Sequence, residues 1–303
     1  MIYAGIVFRQ LISMAIYVLI GYILSKTKLM SEEGTKSFAN LLIYLILPCA
    51  IISSFCREAT SEQTVKMLIS LGLSVGLIVI SVVISHFLFK KKPVDNFSSC
   101  FSNVGFMGVP LITATLGGES VFYIAGLVAM MNMMQWIYGQ RLLSKEQTKL
   151  NVKTLLLNPL SVAFILGLIL YFVPFSLPEQ VMTCVKAIAG CNSPIAMIIL
   201  GCYLSKVPFK TIFTSGSAYI ATFSRLLLIP VVTALFLAVI PGVDENIRMA
   251  MLISACTPVG TNVAVYAQKL GQDYSRAVVL ICQSTIFCVV TMPLVILLSA
   301  VLF

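Results

Sequence analysis

The 303-residue chain is 59% hydrophobic and only 10% charged, with a mean hydropathy of +1.02, whereas a soluble domain carries roughly 25% charged residues. That composition excludes a soluble fold and describes an all-α integral membrane protein. The net charge of +9 does not indicate nucleic-acid binding, because most cationic residues sit in short loops between apolar runs, where the positive-inside bias places them.

In chain order, the first apolar run lies near residues 4–24. It is too long for a signal-peptide core and lacks a small-residue cleavage site, so it reads as a retained helix. Span two (38–56) carries Pro48 at its centre, and span three (65–89) is long enough to tilt. Span four (97–116) is interrupted by Ser102-Asn103-Val104-Gly105-Phe106-Met107-Gly108-Val109-Pro110-Leu111, and span five (120–140) places Asn132 and Gln135 one helical turn apart. The longest polar interval, 141–153, follows. Span six (158–175), span seven (181–204, with Pro194) and span eight (212–240, with Arg225) precede a second interrupted run in span nine (247–268). That run reads Ala255-Cys256-Thr257-Pro258-Val259-Gly260-Thr261-Asn262-Val263, and span ten (275–302) closes the chain.

Loop charge sets an expected orientation. Fourteen of the 20 Lys and Arg fall in loops after odd-numbered spans and three (Arg57, Lys66, Arg248) in loops after even-numbered ones. This alternation puts both termini outside and the central loop in the cytoplasm. Five spans is an odd number, so a second copy of the first half would enter from the opposite face. Pro48 answers Pro194, and Leu116-Gly117-Gly118-Glu119 answers Leu270-Gly271-Gln272-Asp273. The expected architecture is a 5+5 inverted repeat: a first repeat over 1–140, a short cytoplasmic linker over 141–157 and a second repeat over 158–303.

A local two-fold axis would bring the two broken spans together at mid-depth, where a carrier holds its substrate. Half-helix N-termini present free N–H groups and partial positive charge. Asn103, Thr257, Thr261 and Asn262 add hydrogen bonds, Gly105, Gly108 and Gly260 allow close approach to the backbone, and Pro110 and Pro258 enforce the breaks. Asn132, Gln135, Ser53, Ser54, Asn192 and Ser193 are further candidates for the cavity wall. Arg225 lies deep within span eight and has two readings: a functional counter-charge, or a structural cation bonded to carbonyls of an unwound neighbour. Arg9 and Lys186, nearer span ends, are expected to snorkel, and His86 sits near the headgroups. All eleven acidic residues map to loops or span ends, unlike a cation antiporter, which holds its ion with buried acids. The nine Cys form no C-x-x-C pair and no His-bearing cluster, so neither a metal, a cofactor nor a disulfide framework is expected.

The run N-x-x-x-x-G-x-P-L from Asn103 to Leu111 closely resembles the span-four motif of the auxin efflux carrier family in its short bacterial form. The likeness extends over the ten spans, the span-two Pro and the second break near Pro258. The long central loop of some plant members is missing, and the span-nine match is looser. This resemblance implies an elevator-type homodimeric carrier. Spans one, two, six and seven would form a scaffold and dimer interface, and spans three to five and eight to ten a moving transport domain. It also implies organic-anion substrates such as auxin, malate or malonate, held by Asn103, Gly108 and Pro110 on one arm and Pro258 and Asn262 on the other.

The sequence therefore reads as a secondary carrier of small carboxylates in the cytoplasmic membrane. A cation/proton antiporter of similar broken-helix design and a ligand-sensing membrane module that moves nothing are the rivals. An intramembrane enzyme is disfavoured by the missing H-E-x-x-H and membrane Asp pair.

Overall fold

The computed structural model describes residues 2–144, 156–173 and 177–302, and every regular element among them is helical. The expected 141–157 linker lies largely outside the described residues. Helix α1 (Ile2–Lys26) is apolar around its circumference: Val7, Leu11 and Met14 are buried, while Phe8, Ile12, Ile16, Leu19 and Ile23 face out of the protein. An outward stripe of that kind suits hydrocarbon and not water. A turn through Lys28, at φ 62°, leads to α2 (Glu32–Phe55). Ser31 Oγ caps α2 by accepting from the Gly34 N–H at 2.9 Å.

There follow α3 (Ser61–Leu88), α4 (Pro93–Cys100), α5 (Val104–Leu116), α6 (Gly118–Leu143), α7 (Pro159–Phe172) and α8 (Glu179–Leu204). The short α9 (Phe209–Thr214) precedes α10 (Gly216–Val239), α11 (Glu245–Cys256), α12 (Asn262–Lys269) and α13 (Tyr274–Leu302). Among the described residues seven helices are long and apolar enough to cross a membrane: α1, α2, α3, α6, α8, α10 and α13. The segments expected as spans four and nine each comprise two helices, and that expected as span six has 14 helical residues.

Proline accounts for three wide turns. Pro48, Pro110 and Pro230 each stand two residues beyond a π-helical turn, at Leu42–Ile46, Val104–Gly108 and Ser224–Leu228. A helix-interior Pro lacks an N–H and its ring crowds the carbonyl four residues back. Widening the preceding turn makes room for it. A fourth π turn, Gln135–Gly139 in α6, has no proline behind it and borders the cavity described below. The two helices ending in the matched glycine runs both stop at a left-handed residue, Gly117 (φ 89°) and Gly271 (φ 64°). After α12 the Gln272 N–H reaches back to the Ala267 carbonyl at 2.8 Å, the helix-ending arrangement a left-handed glycine permits.

The helices form two sets that are also packed against each other, α1 on α5 and α13, and α2 and α7 on α6. α1 lies along α8, and α2 packs on α7 and α8; α3 packs on α4 and α6, and α10 and α12 pack on α13. Small residues bring α1 and α8 together: a Cβ on Gly21 would lie 2.0 Å from the Ile198 carbonyl oxygen, and one on Gly201 2.0 Å from that of Val18. The second set is tied by an ion pair between a buried Asp and a part-buried Arg. Asp95, in the first turn of α4, receives Arg276 Nε at 2.8 Å and Nη2 at 3.1 Å, and Arg276 Nη1 donates to Ser215 and Ser217, each at 3.0 Å. Asp95 is thus an acid at a span end, as the sequence indicates, yet buried.

Candidate functional site

Two extended segments cross where α4 gives way to α5 and α11 to α12. Thr257 precedes a proline, which pushes it out of the helical region, and it adopts ψ 148°. Ser102 and Asn103 compete locally for backbone groups and so favour leaving a helix. Ser102 and Val259 face one another in an isolated antiparallel bridge. On either side of it the Asn103 N–H donates to the Pro258 carbonyl at 2.8 Å and the Gly260 N–H to the Phe101 carbonyl at 2.9 Å. The Val259 N–H finds Ser284 Oγ at 3.1 Å. A Cβ on Gly260 would lie 3.2 Å from Phe101 O and 3.3 Å from Ser102 O, so the missing side chain is what lets the backbones touch.

The two ends of the crossing differ electrostatically. On the C-terminal side of α4 and α11, Arg225 is 1% exposed. Its Nη1 donates to Ser99 O at 3.1 Å and Cys100 O at 3.3 Å, and its Nη2 to Ala255 O. One guanidinium therefore joins both helix ends, where a cation opposes the helix dipoles. On the N-terminal side, the N–H groups of Val104, Gly105 and Phe106, and those of Thr261 and Asn262, have no acceptor among the described residues.

Those N-termini border a cavity of about 30 Å³. Asn103, Gly105, Gln135, Asn132, Gly260, Thr261 and Asn262 line it, closed on one side by Ile43, Leu47 and Leu160. Asn262 Nδ2 donates to Gln135 Oε1 at 2.8 Å, and Asn132 Nδ2 to its own helix at Val128 O, 2.8 Å. The Asn103 carboxamide and Thr261 hydroxyl have no hydrogen-bond partner among the described residues. Among the described residues no acidic side chain lines the cavity. Its volume is on the scale of one or two water molecules. Among the described residues no cluster of His, Cys, Asp or Glu is placed to hold a metal.

Of the sequence candidates, Asn103, Gly105, Asn132, Gln135, Gly260, Thr261 and Asn262 thus meet at one cavity; Ser53, Ser54, Asn192 and Ser193 line a second one, and Gly108, Thr257, Pro258, Pro110 and Arg225 do not line the first. Gly108 provides close packing, since a Cβ there would lie 3.0 Å from Val104 Cγ2 and 3.5 Å from Thr257 Cγ2. Thr257 bonds back to Ser254 O at 2.8 Å, and Pro258 contributes its carbonyl to the crossing. Pro110 borders a second, larger cavity, and Arg225 holds the opposite ends of the helices. Sequence reasoning missed Ser284, although a polar residue inside an apolar span was a usable signal. It also missed Ile43, Leu47 and Leu160, which carry no signal because they are apolar residues in apolar runs. Asn192, noted beside Pro194, donates from Nδ2 to Gly105 O at 3.2 Å and so links α8 to the first arm.

The profile of the membrane transport protein family matches residues 6–296. The chain is 25% identical over 299 residues to an "uncharacterized transporter" of Methanothermobacter thermautotrophicus, covering 94% of this chain and 96% of the relative. It is 26% identical over 298 residues to another from Methanocaldococcus jannaschii, covering 93% of each. A protein of Rhizobium meliloti named "putative malonate transporter" is 22% identical over 289 residues, 90% of each chain. These relatives are named as transporters and not as enzymes, and the apolar helices make this a multi-pass membrane protein. With nearly its whole length matched, the chain belongs to the membrane transport protein family, the auxin efflux carriers.

Proposed function

We propose that the protein is a secondary carrier of small organic anions, with the crossing of α4/α5 and α11/α12 as its substrate site. One observation carries this reading. Unbonded N–H groups from two helices and the unpartnered Asn103 carboxamide converge on a cavity with no acidic wall. Such a site favours a carboxylate and lacks the acidic ligand with which a cation antiporter holds its ion. Arg225 acts here as the fixed charge that holds the two helix ends, so that their N-termini stay aimed at the anion.

The carrier works by elevator-type alternating access in a ten-span, 5+5 inverted-repeat architecture, as a homodimer in the cytoplasmic membrane with both termini outside. The walls of the cavity support this. Its polar wall comes from α5, α6 and α12, whereas Ile43, Leu47 and Leu160 belong to α2 and α7, which pack in the other set. Across this apolar wall no directional bond resists sliding; beyond it, the bonds from Asn192 to Gly105 O and from Arg57 to Glu119 O must break as the polar set moves. The cavity, at about 30 Å³, is smaller than a dicarboxylate, which supports a rearrangement of its walls on substrate binding. The relative named for malonate makes that anion the first to test.

The test is uptake of labelled malonate, malate and indole-acetate into liposomes holding the purified protein. Saturable flux of one of them is expected, and Asn103→Ala should reduce it at least about tenfold, the loss of one charge-assisted hydrogen bond, without altering the melting temperature. Full uptake by Asn103→Ala removes the site assignment. Cation-dependent pH changes without anion flux replace the carrier with the antiporter.

A further inference from the structure

On the other side of α5 lies a cavity of about 550 Å³, between α1, α2 and α8 on one wall and α5 with the start of α6 on the other. Gln10, Arg57, Lys186, Asn192, Ser193 and Pro110 are among its lining residues. Arg57 is held in place there. Its Nε donates to Ser54 O at 3.0 Å, its Nη2 to Glu119 O at 2.5 Å, and its guanidinium lies 4.5 Å from the centre of the Phe122 ring. Its Nη1 has no hydrogen-bond partner among the described residues. At the floor, Asn192 is 2% exposed, and its Oδ1 and the Ser193 Oγ are buried without partners. Buried polar atoms without partners are rare and mark places completed by water or a ligand. Asn192 is also the septum: its Nδ2 holds Gly105, which lines the crossing cavity on the far side.

We propose that this cavity is a second anion site, which takes a carboxylate before or after it occupies the crossing. Arg57 offers a positioned fork with free N–H groups, the geometry that suits a carboxylate. Lys186 adds a second positive charge, and the Ser193 hydroxyl a donor at the floor. Glu119, exposed at the rim, offsets one of the two cations and leaves the wall net positive. A cleft lined by one sign of charge raises the local concentration of the opposite ion. The role of the site in delivery rests on the carrier reading; its existence as an anion site does not.

Cys56 is a built-in reporter. It lines the same cavity beside Arg57 and is half-buried. The experiment compares its reaction with an anionic sulfonatoethyl and a cationic trimethylammonioethyl methanethiosulfonate, in purified detergent-solubilised protein, with modification read at Cys56 by peptide mass spectrometry. Relative to a free thiol, the anionic reagent should be favoured about tenfold, the lower end of what charge focusing achieves. The preference should collapse in Arg57→Gln/Lys186→Gln. Because Arg57 also ties α2 to α6, Lys186→Gln is measured alone as well and should lose about half of the preference on a logarithmic scale. Malonate should slow modification of Cys56 in the wild type and leave the exposed Cys184 unaffected.

A reagent ratio equal to that of a free thiol, or no protection by malonate, overturns the proposal. Anion flux in liposomes without a Cys56 preference keeps the carrier and removes this site. Preference and protection without flux keep this site and remove the carrier.

Discussion

Arg225→Met replaces a buried guanidinium with an apolar side chain of similar length. Three carbonyls, of Ser99, Cys100 and Ala255, lose their donor. Each buried orphan costs about 1–3 kcal/mol, and the lost cation at two helix ends adds about 0.3–1 kcal/mol apiece. Against this stands the desolvation the wild-type charge already bears, visible in the unpartnered Nε. Set against that relief, the orphaned carbonyls leave a net loss of about 3–5 kcal/mol. For a chain of this size that lowers the melting temperature by about 6–10 °C. A thiol-reactive dye reads the transition directly, because Cys100 and Cys256 are buried beside the crossing. Arg225→Lys keeps the charge, but one ammonium lacks the planar fork that reaches both helix ends, so it should recover about half the loss. A variant Arg225→Met that melts within about 2 °C of wild type and transports normally refutes this account. One that melts normally yet loses substrate affinity makes Arg225 the substrate's counter-charge instead.

Further expectations concern the same framework. Gly260→Ala places a Cβ against two backbone oxygens that cannot rotate away, so it should cost about 1–3 kcal/mol and depress uptake more than melting temperature. Gly108→Ala meets the Val104 methyl of its own helix, which can yield, and should cost less than about 1 kcal/mol; equal effects of the two would contradict the packing described. Asp95→Ala leaves the part-buried Arg276 with only serine partners and should destabilise by about 2–3 kcal/mol, below the range for a fully buried pair, whereas Asp95→Leu with Arg276→Met should recover most of it. A thermal-melt double-mutant cycle without that recovery would show that the pair is not coupled. Gly201→Leu cannot be accommodated 2.0 Å from the Val18 carbonyl oxygen, and size-exclusion chromatography should show little monodisperse protein.

Much of the backbone was legible because its causes are local. Thr257 leaves the helix because Pro258 follows it, and Gly117 and Gly271 end helices because they tolerate a positive φ. Asn103, Thr261 and Asn262 were legible for the same reason: polar residues beside helix breakers in an apolar run. The partners of Arg225 were not, since Ser99 and Ala255 contribute only their carbonyls, which every residue has. Ile43, Leu47 and Leu160 close the cavity without differing in kind from dozens of other apolar residues. The Asp95–Arg276 pair joins residues 181 positions apart, and charge counting sees two ordinary span-end ions.

The sequence by itself determined the membrane class, the positions of the apolar helices and the places where the backbone must break. Hydrophobic length and the conformational limits of Pro and Gly act over a few residues and need no partner. Only the tertiary structure decided that Phe101–Asn103 pairs with Pro258–Gly260, that one guanidinium joins the far ends of both arms, and that the candidate cavity has one polar and one apolar wall. Those outcomes depend on which donors, acceptors and surfaces meet through space. A chain read along its length records what each residue offers and not what it meets.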